Sequence, residues 1–336
     1  MRPTIRDVAR HAGVSIATVS RVMHGHDNVS SATRDRVATA VRELEFTPSR
    51  LGRSLAERRH AANAIVFPDL SGPYYAEVVL GYESVAADLD RSVLILTTHG
   101  RPAAATMVEE MADRCDGMVV MGRTVPDSLL ERLHRRDMPL VLLARPELDG
   151  IDSVRADNSG PAGALAAHVI AQGARALSLV GDAELSPDVA ERWAAVEALA
   201  SRNADVSVVH RPTSLFDEAS GAQVAREALQ NALPDAFLCA NDELALGVLS
   251  ELRSAGVDVP GRVMVTGWDD IMAARYAGLT TVRQPMRELG ETAARLLDEV
   301  ITGSREDPRH VVLPTELVVR TTSAHPPSDT PGKVER

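Results

Sequence analysis

The chain has 336 residues, a net charge of −11 at pH 7, 45% hydrophobic residues and two cysteines. This length predicts two or three domains. No run approaches the roughly 18 apolar residues of a membrane-spanning helix, and the first residues lack a signal-peptide pattern, so we expect a cytoplasmic protein that does not enter the membrane. Cys115 and Cys239 lie in apolar runs, which predicts buried reduced thiols and neither a disulfide nor a metal site.

The charge is divided unevenly along the chain. Residues 1–60 contain 11 Arg and 6 Asp or Glu, a net charge of +5, whereas residues 61–336 contain 25 Lys or Arg and 41 Asp or Glu, a net charge of −16. A basic segment joined to an acidic body is typical of a protein that binds the phosphate backbone of nucleic acid through the basic segment alone.

Residues 4–22, TIRDVARHAGVSIATVSRV, predict two short helices joined by a tight turn. Thr4 can cap the first helix, with Asp7 three residues later in a capping-box position. Gly13 suits the left-handed residue after a helix, and Ser15 can cap the second helix. The residues expected to point outward from the second helix are Ile16, Ala17, Ser20 and Arg21.

A third helix is predicted from about Ser31 to Glu45, where Val37, Val41 and Leu44 recur at helical spacing. Three short helices with one outward face are typical of a helix-turn-helix domain, which places its second helix in the major groove of DNA. A small helical cap without a ligand is the alternative interpretation. The arginine-rich stretch that follows favours DNA binding.

From residue 61 onward, strand-like apolar runs alternate with helix-like segments. The runs are AIVFPDL, VLILTT, GMVVMG, PLVLLA, ALSLVGD, VSVVHR, AFLCAND and VMVTGWDD, and the helical segments include Ala76–Leu89, Pro161–Gln172 and Glu243–Ala255. Such alternation predicts parallel sheets with helices on both faces. Two such sets, 62–158 and 162–283, predict two subdomains and a cleft beyond the carboxyl ends of their strands.

The stretches TIRDVARHAGVSIATVSRV, VSSATRDRV and PSRLGRSL, in this order and spacing, closely resemble the lactose-repressor (LacI/GalR) family of bacterial regulators. The segments SVRADNSG, CANDELALGVL, VTGWDDI, LTTVRQP and LPTELVVR extend the resemblance through the body. The resemblance implies an α/β fold, in which a three-helix helix-turn-helix head and a hinge join a two-subdomain core of parallel sheets like that of periplasmic sugar-binding proteins.

These patterns predict a DNA-binding head at 1–47, a hinge at 48–60, a ligand-binding and dimerisation core at 61–325 and a disordered tail at 326–336. Within the core we expect an N-terminal subdomain at about 61–159 and 286–318, and a C-terminal subdomain at about 160–285 and 319–325. The resemblance implies that the chain crosses between them near 159–161, 284–287 and 318–321.

The resemblance also implies how DNA is bound. The hinge becomes helical on DNA, and Leu55 from each chain of a homodimer enters the minor groove at the centre of a palindromic operator. Gly52 stands where the family usually has alanine, which costs the hinge helix about 0.5–1 kcal/mol. The expected DNA-binding residues are Thr4, Ser15, Ile16, Ala17, Thr18, Ser20, Arg21, Ser30, Arg50, Arg53 and Leu55.

In the cleft, the resemblance implies ligand contacts from Tyr74, Tyr75, Arg145, Arg192, Phe216, Asn241, Asp269 and Gln284. Polar groups of these types pair with sugar hydroxyls, and aromatic rings cover the apolar face of a sugar ring. Alternative interpretations place Phe216 and Tyr75 in the core, Asp269 in a loop cap and Arg192 in a surface ion pair. Trp193 and Trp268 are expected to pack in the core.

The residues around Arg192 and Arg145 depart from the family pattern. Ala195 and Val196 replace the usual glycine and aromatic residue, and Ala144 replaces a frequent aspartate and so removes one candidate acceptor of a ligand hydroxyl.

We find no G-x-S-x-G motif, no P-loop and no zinc-spaced Cys/His cluster, so we expect no enzyme, no catalytic residue, no cofactor and no metal. The leading hypothesis is a transcriptional regulator, expected to be a repressor, whose operator affinity a sugar-like molecule controls. A regulator that responds to a nucleoside or another non-sugar metabolite is the alternative. A solute-binding protein would need a signal peptide and no DNA-binding head.

Overall fold

The computed structural model describes residues 3–23, 29–46, 60–305 and 307–324. The chain divides into two compact units, Met1–Ala61 and Ala62–Arg336. Residues 48–59 of the predicted hinge and the whole predicted tail lie outside the described residues. Within the described ranges, no helix has the length and apolar character needed to cross a membrane.

The first unit contains helices α1 (Ile5–Ala12), α2 (Ile16–Met23) and α3 (Ser31–Glu43). The capping interactions predicted at the ends of these helices are confirmed. The Asp7 carboxylate accepts hydrogen bonds from Thr4 N at 3.0 Å and Thr4 Oγ1 at 2.7 Å, which fixes the start of α1. Gly13 has φ +63° after α1, and Ser15 Oγ accepts a hydrogen bond from Thr18 N at 3.1 Å.

Val8, Val19 and Val37, one from each helix, are completely or almost completely buried at the centre of this unit. Phe46, which follows α3, covers the same small core. Because each helix buries one apolar face, the opposite face of α2 remains exposed, and Ile16 keeps 44% of its surface in solvent.

The second unit contains a six-stranded sheet in the order β11-β5-β4-β3-β1-β2, with every neighbouring pair parallel. Alternate side chains enter opposite layers, so Ile65 and Phe67 pack on one face and Ala64 and Val66 on the other. The strands are β1 (Ala62–Phe67), β2 (Ser92–Thr97), β3 (Gly117–Met121), β4 (Leu140–Leu143), β5 (Asp152–Ala156) and β11 (His310–Leu313). The helices of this subdomain are α4 (Pro73–Asp88), α5 (Ala104–Ala112), α6 (Asp127–His134) and α12 (Met286–Thr302).

A four-stranded parallel sheet in the order β7-β6-β8-β9 forms the second subdomain. Its strands are β6 (Ala176–Val180), β7 (Ser207–Arg211), β8 (Ala236–Cys239) and β9 (Met264–Thr266). Its helices are α7 (Ser159–Ala171), α8 (Pro187–Ala200), α9 (Glu218–Gln230), α10 (Asp242–Ser254) and α11 (Met272–Ala277). The predicted α/β fold is therefore confirmed.

The third crossing between subdomains lies earlier than residues 318–321, the position that the family resemblance implied. Strand β12 (Glu316–Val318) pairs antiparallel with β10 (Thr281–Arg283), and Leu317 packs against the core of the second subdomain. The chain thus crosses at Pro314 and Thr315, directly after β11. Residues 316–318 belong with the second subdomain because their hydrogen-bonding partner is there.

Helices α4 and α12 pack closely because each presents a glycine to the other. A β-carbon at Gly81 would collide with the carbonyl oxygen of Arg287, and one at Gly290 would collide with the carbonyl oxygen of Val78. This close packing holds α12, which follows the second crossing, against the first subdomain. The two cysteines are free and buried, as expected, and burial raises the pKa of Cys115 to about 12.

Candidate functional site

The exposed face of α2 carries three of the predicted DNA contacts. Ile16, Ala17 and Arg21 are exposed, whereas Thr18 and Ser20 are half-buried. An apolar pair next to a guanidinium is suited to base edges, since Ile and Ala can contact a thymine methyl and Arg can pair with guanine.

Three other predicted DNA contacts already have local partners. The Thr4 hydroxyl donates to Asp7, Ser15 Oγ lies 2.9 Å from Thr18 Oγ1, and Ser30 Oγ lies 2.9 Å from Thr33 Oγ1. All three begin a helix and remain exposed. Arg50, Arg53 and Leu55 lie outside the described residues, so their roles stay predictions from the sequence.

Tyr74 and Tyr75 begin α4, directly beyond the carboxyl end of β1. Their rings meet edge to face with centroids 5.4 Å apart, and Tyr75 makes a similar contact with Phe67 at 5.8 Å. Burial and the carboxylates of Asp188 and Asp269 raise the pKa of Tyr74 well above its usual range. Because both acidic residues belong to the second subdomain, the two tyrosines face that subdomain across the cleft.

Arg192 lies on α8 and is 5% exposed. Its Nε donates to Asn158 Oδ1 at 2.8 Å, and its Nη1 donates to the carbonyl oxygen of Ala240 at 2.7 Å. Its guanidinium carbon lies 4.1 Å from the ring centroid of Trp268, within cation–π range. Nη2 is 4.0 Å from Asp188 Oδ2. The surface ion pair considered from the sequence is therefore wrong for Arg192, because tertiary packing covers it.

Asp269 follows β9 and adopts φ +112°, a backbone conformation that residues other than glycine rarely occupy. It is 4% exposed, and its Oδ1 accepts a hydrogen bond from Gln284 Nε2 at 2.5 Å. Gln284 Oε1 is buried without a hydrogen-bond partner among the described residues. Burial and the nearby Glu243 carboxylate raise the pKa of Asp269 well above its usual range. Strained backbone and unsatisfied polar atoms together mark this loop as a candidate site.

Asn241 is the N-cap of α10, and its whole amide is engaged. Its Oδ1 accepts from Leu244 N at 3.0 Å, while Nδ2 donates to the carbonyl oxygen of Phe216 and to Glu243 Oε2, both at 2.9 Å. Phe216 is half-buried and packs against the core of the second subdomain. The observed contacts of both residues are structural, and their roles in ligand binding stay predictions.

Arg145 contacts a different set of residues, and its Nε is buried without a hydrogen-bond partner among the described residues. It is 4% exposed and donates to the carbonyl oxygens of Gly122 at 2.6 Å and Val125 at 2.7 Å, and to the Asp127 carboxylate. Among the described residues, no interaction joins it to Arg192 or Asp269. Its contacts hold the loop between β3 and α6.

Three residues that the sequence did not assign to the cleft also lie there. Asp188, on the first turn of α8, faces Arg192 one helical turn away, and this i, i+4 spacing could have revealed it. Glu243, on α10, reaches the start of α4, where a β-carbon at Gly72 would collide with its Oε1. Trp268 packs in the core, as expected, but it also stacks under Arg192, and its Nε1 is buried without a partner among the described residues.

Beside this group, an ion pair and a hydrogen bond connect the two subdomains. Arg155 on β5 lies 3.2 Å from Glu191 on α8, and Arg123 donates to the carbonyl oxygen of Glu184 at 3.1 Å. The cleft therefore has contacting edges around a centre of acidic, amide and aromatic side chains. Such a set can orient a small polar molecule by hydrogen bonds and cover an apolar face of it.

Each of the two units matches a known family model. Residues 4–49 match the model described as bacterial regulatory proteins, lacI family, and residues 166–323 match the periplasmic binding protein-like domain. The first match covers the three helices of the head. The second covers most of the four-stranded subdomain and α12.

Full-length relatives agree with these matches. The HTH-type transcriptional regulator RegA of Clostridium saccharobutylicum is 30% identical over 334 residues, which cover 95% of this chain and 99% of RegA. Catabolite control protein A of Staphylococcus xylosus is 28% identical over 331 residues, which cover 96% of this chain and all of that protein.

Solved structures match over the same extent. The lac repressor dimer bound to operator and the anti-inducer ONPF has a TM-score of 0.86 at 27% identity, covering 97% of this chain and 100% of that one. The CelR–cellobiose complex has a TM-score of 0.70 at 30% identity, covering 96% and 100%. With a head, a two-subdomain core and relatives that match along their entire length, this chain belongs to the lacI family of DNA-binding bacterial transcriptional regulators.

Proposed function

We propose that two copies of this chain bind a palindromic operator and repress transcription, and that a sugar-like molecule in the cleft controls their affinity for DNA. The observation that carries this proposal is the presence, in one chain, of an exposed recognition face on α2 and a cleft lined by convergent polar and aromatic side chains. The chain then works in the cytoplasm, where its operator is, and acts by binding and not by catalysis.

In this proposal the head spans 1–47, the hinge 48–60 and the core continues to 325. Ile16, Ala17 and Arg21 read base edges in the major groove, and the arginines of the hinge lie near phosphate. A net charge of +5 over residues 1–60 supports this division, because counterion release makes basic segments bind DNA.

The effector is proposed to lie among Arg192, Asp269, Gln284 and the two tyrosines at the start of α4. Two related structures contain a bound small molecule, the anti-inducer ONPF in the lac repressor dimer and the sugar cellobiose in CelR. Hydroxyl groups donate and accept hydrogen bonds, so a sugar can pair with the carboxylate and amide of this cleft while the aromatic rings cover its apolar face.

Control of DNA binding follows from the position of the cleft between the subdomains. A ligand shifts a conformational equilibrium only by its different affinity for the two states. Contacts such as Arg155 with Glu191 exist only while the subdomains are close, so a ligand that changes their separation changes these contacts.

The test begins with selection of duplexes from a randomised library by the full-length chain. We expect a palindrome of roughly two turns, as two-fold symmetry of a dimer requires. The complex of the protein with the selected operator is then titrated with sugars and nucleosides that raise the thermal stability of the protein. The proposal would be contradicted if the selection enriched no particular sequence. It would also be contradicted if no compound that stabilises the protein changed its affinity for the operator.

A further inference from the structure

The centre of the cleft contains more acidic than basic side chains among the described residues. Glu243 acts electrostatically on Asp269, and Asp188 and Asp269 both act on the tyrosines of α4. Arg192 is a nearby cation that acts on both Asp188 and Asp269. Of the three carboxylates, only that of Asp188 lies within ion-pair distance of Arg192 among the described residues, at 4.0 Å. Neither Glu243 nor Asp269 has a cationic side chain within ion-pair distance among the described residues, and each bonds instead to an amide.

Arg192 acts on Asp269 from beyond ion-pair distance, and the other arginines nearby are already paired with other carboxylates. Glu191 pairs with Arg155 at 3.2 Å. Asp270, next to Asp269, is held by Arg283 at 2.8 Å and Arg320 at 2.6 Å. Leaving carboxylates in a buried site without a cation is unfavourable, so the site is suited to a partner that supplies positive charge.

Hydrogen-bonding capacity at the same place points to the same partner. Gln284 is 5% exposed, its Nε2 bonds to Asp269 Oδ1, and its Oε1 has no partner among the described residues. A buried acceptor therefore lies beside the Asp269 carboxylate and lacks a donor. A protonated amine has three N–H donors, no acceptor and one positive charge, which matches this need.

We infer that the effector carries a protonated amine, as an amino sugar or aminocyclitol does, and that this amine binds against the carboxylates of Glu243 and Asp269 and the free oxygen of Gln284. The inference rests on the proposed function of the cleft as the effector site. A phosphorylated or carboxylated effector is disfavoured at this position, because it would bring a further negative charge beside two carboxyl groups in a buried site.

The pKa shifts of the two carboxyl groups agree with this assignment. Burial raises the pKa of Glu243, and burial together with Glu243 raises the pKa of Asp269. Without a bound amine, these groups hold their protons to a higher pH than ordinary carboxyl groups do. A bound ammonium group favours their charged forms and can replace those protons.

Matched compounds test the inference by calorimetry and by operator release. The probes are glucosamine, glucose and glucose 6-phosphate, with galactosamine, galactose and galacturonate as a second series. We expect an amine to bind at least about tenfold more tightly than its neutral parent, which corresponds to about 1.4 kcal/mol. Equal or tighter binding of a neutral or acidic member, or no binding by either amine, would overturn the inference. A compound that binds but leaves operator affinity unchanged would instead count against the proposed function.

A variant separates charge recognition from general damage to the cleft. Glu243→Gln keeps the size of the side chain and removes its charge, so the preference for amine over neutral parent should fall by about tenfold. Glu197→Gln is the matched control, since Glu197 lies on α8 but pairs with His210 and is half exposed. Thermal unfolding of both variants reports on folding. A preference that Glu243→Gln leaves unchanged would overturn the inference.

Discussion

The guanidinium of Arg192 lies over the indole ring of Trp268, with 4.1 Å between its central carbon and the ring centroid. Arg192 belongs to α8 and Trp268 to the loop after β9, so this contact joins two segments that are distant along the chain. Burial lowers the pKa of Arg192, while Asp188 and Asp269 oppose that effect. The stacked ring and two hydrogen bonds keep this buried cation in one orientation.

We expect Arg192→Lys to destabilise the protein although it preserves the charge. A lysine ammonium cannot donate to both Asn158 and Ala240 while it stacks on Trp268. The loss should be about 1.5–3 kcal/mol in urea unfolding, and effector-dependent operator release should disappear. Arg226→Lys is the control, because Arg226 is 55% exposed and its replacement should change stability by no more than about 0.5 kcal/mol. If the two variants are equally stable, the hydrogen bonds and ring stacking of Arg192 do not contribute to stability.

Asn241→Ala should destabilise the protein through loss of the cap on α10. The missing hydrogen bond to Leu244 N is expected to cost about 1 kcal/mol, measured by chemical unfolding. Asn241→Ser should recover part of that loss, since a serine hydroxyl can accept the same bond. If the alanine and serine variants unfold alike, the capping interpretation of Asn241 is incorrect.

Asp242 should make stability depend on pH. It is completely buried and accepts hydrogen bonds from Thr281 Oγ1 at 2.6 Å and Ile271 N at 2.9 Å, and burial raises its pKa to about 7. Between pH 4 and 7 the folded state holds a proton that the unfolded state has lost. Stability from this group is therefore complete below about pH 4 and falls as pH rises to about 7, by at most about 4 kcal/mol.

Asp242→Asn should flatten that dependence, because an amide can bond to the same two partners without a charge. Unfolding free energies at pH 5 and pH 8 should differ less for this variant than for the wild type. Asp205→Asn, at a side chain that is 67% exposed, should behave as the wild type. If Asp242→Asn leaves the pH dependence of stability intact, Asp242 is not its source, and other buried carboxyl groups cause it.

Arg21→Ala should reduce discrimination between operators more than binding to DNA in general. Loss of a bidentate contact to guanine is expected to cost about 1–3 kcal/mol against the preferred site. Competition gel shifts with the selected operator and a base-substituted duplex measure this. Arg10→Ala serves as the control, since Arg10 is 80% exposed on α1 and its removal should weaken both duplexes equally. Unchanged operator preference in Arg21→Ala would remove this residue from base recognition.

Local patterns in the sequence determined much of this protein. The capping box of Thr4 and Asp7, the left-handed Gly13 and the helical spacing of Val37, Val41 and Leu44 all depend on interactions within a few residues. The alternation of apolar runs and helices likewise determined the parallel sheets. The family resemblance implied a ligand contact for Asn241, whereas the structure shows it as the N-cap of α10.

Only the tertiary structure decided how distant groups meet. The third crossing depends on β12 pairing with β10, about 35 residues earlier, so no local pattern could place it. The reach of Glu243 to the start of α4, the stacking of Arg192 on Trp268 and the unpartnered oxygen of Gln284 arise from the packing of separate segments. Burial and the distance between charges set the chemistry of the cleft, and both are properties of the folded chain that the order of its residues does not display.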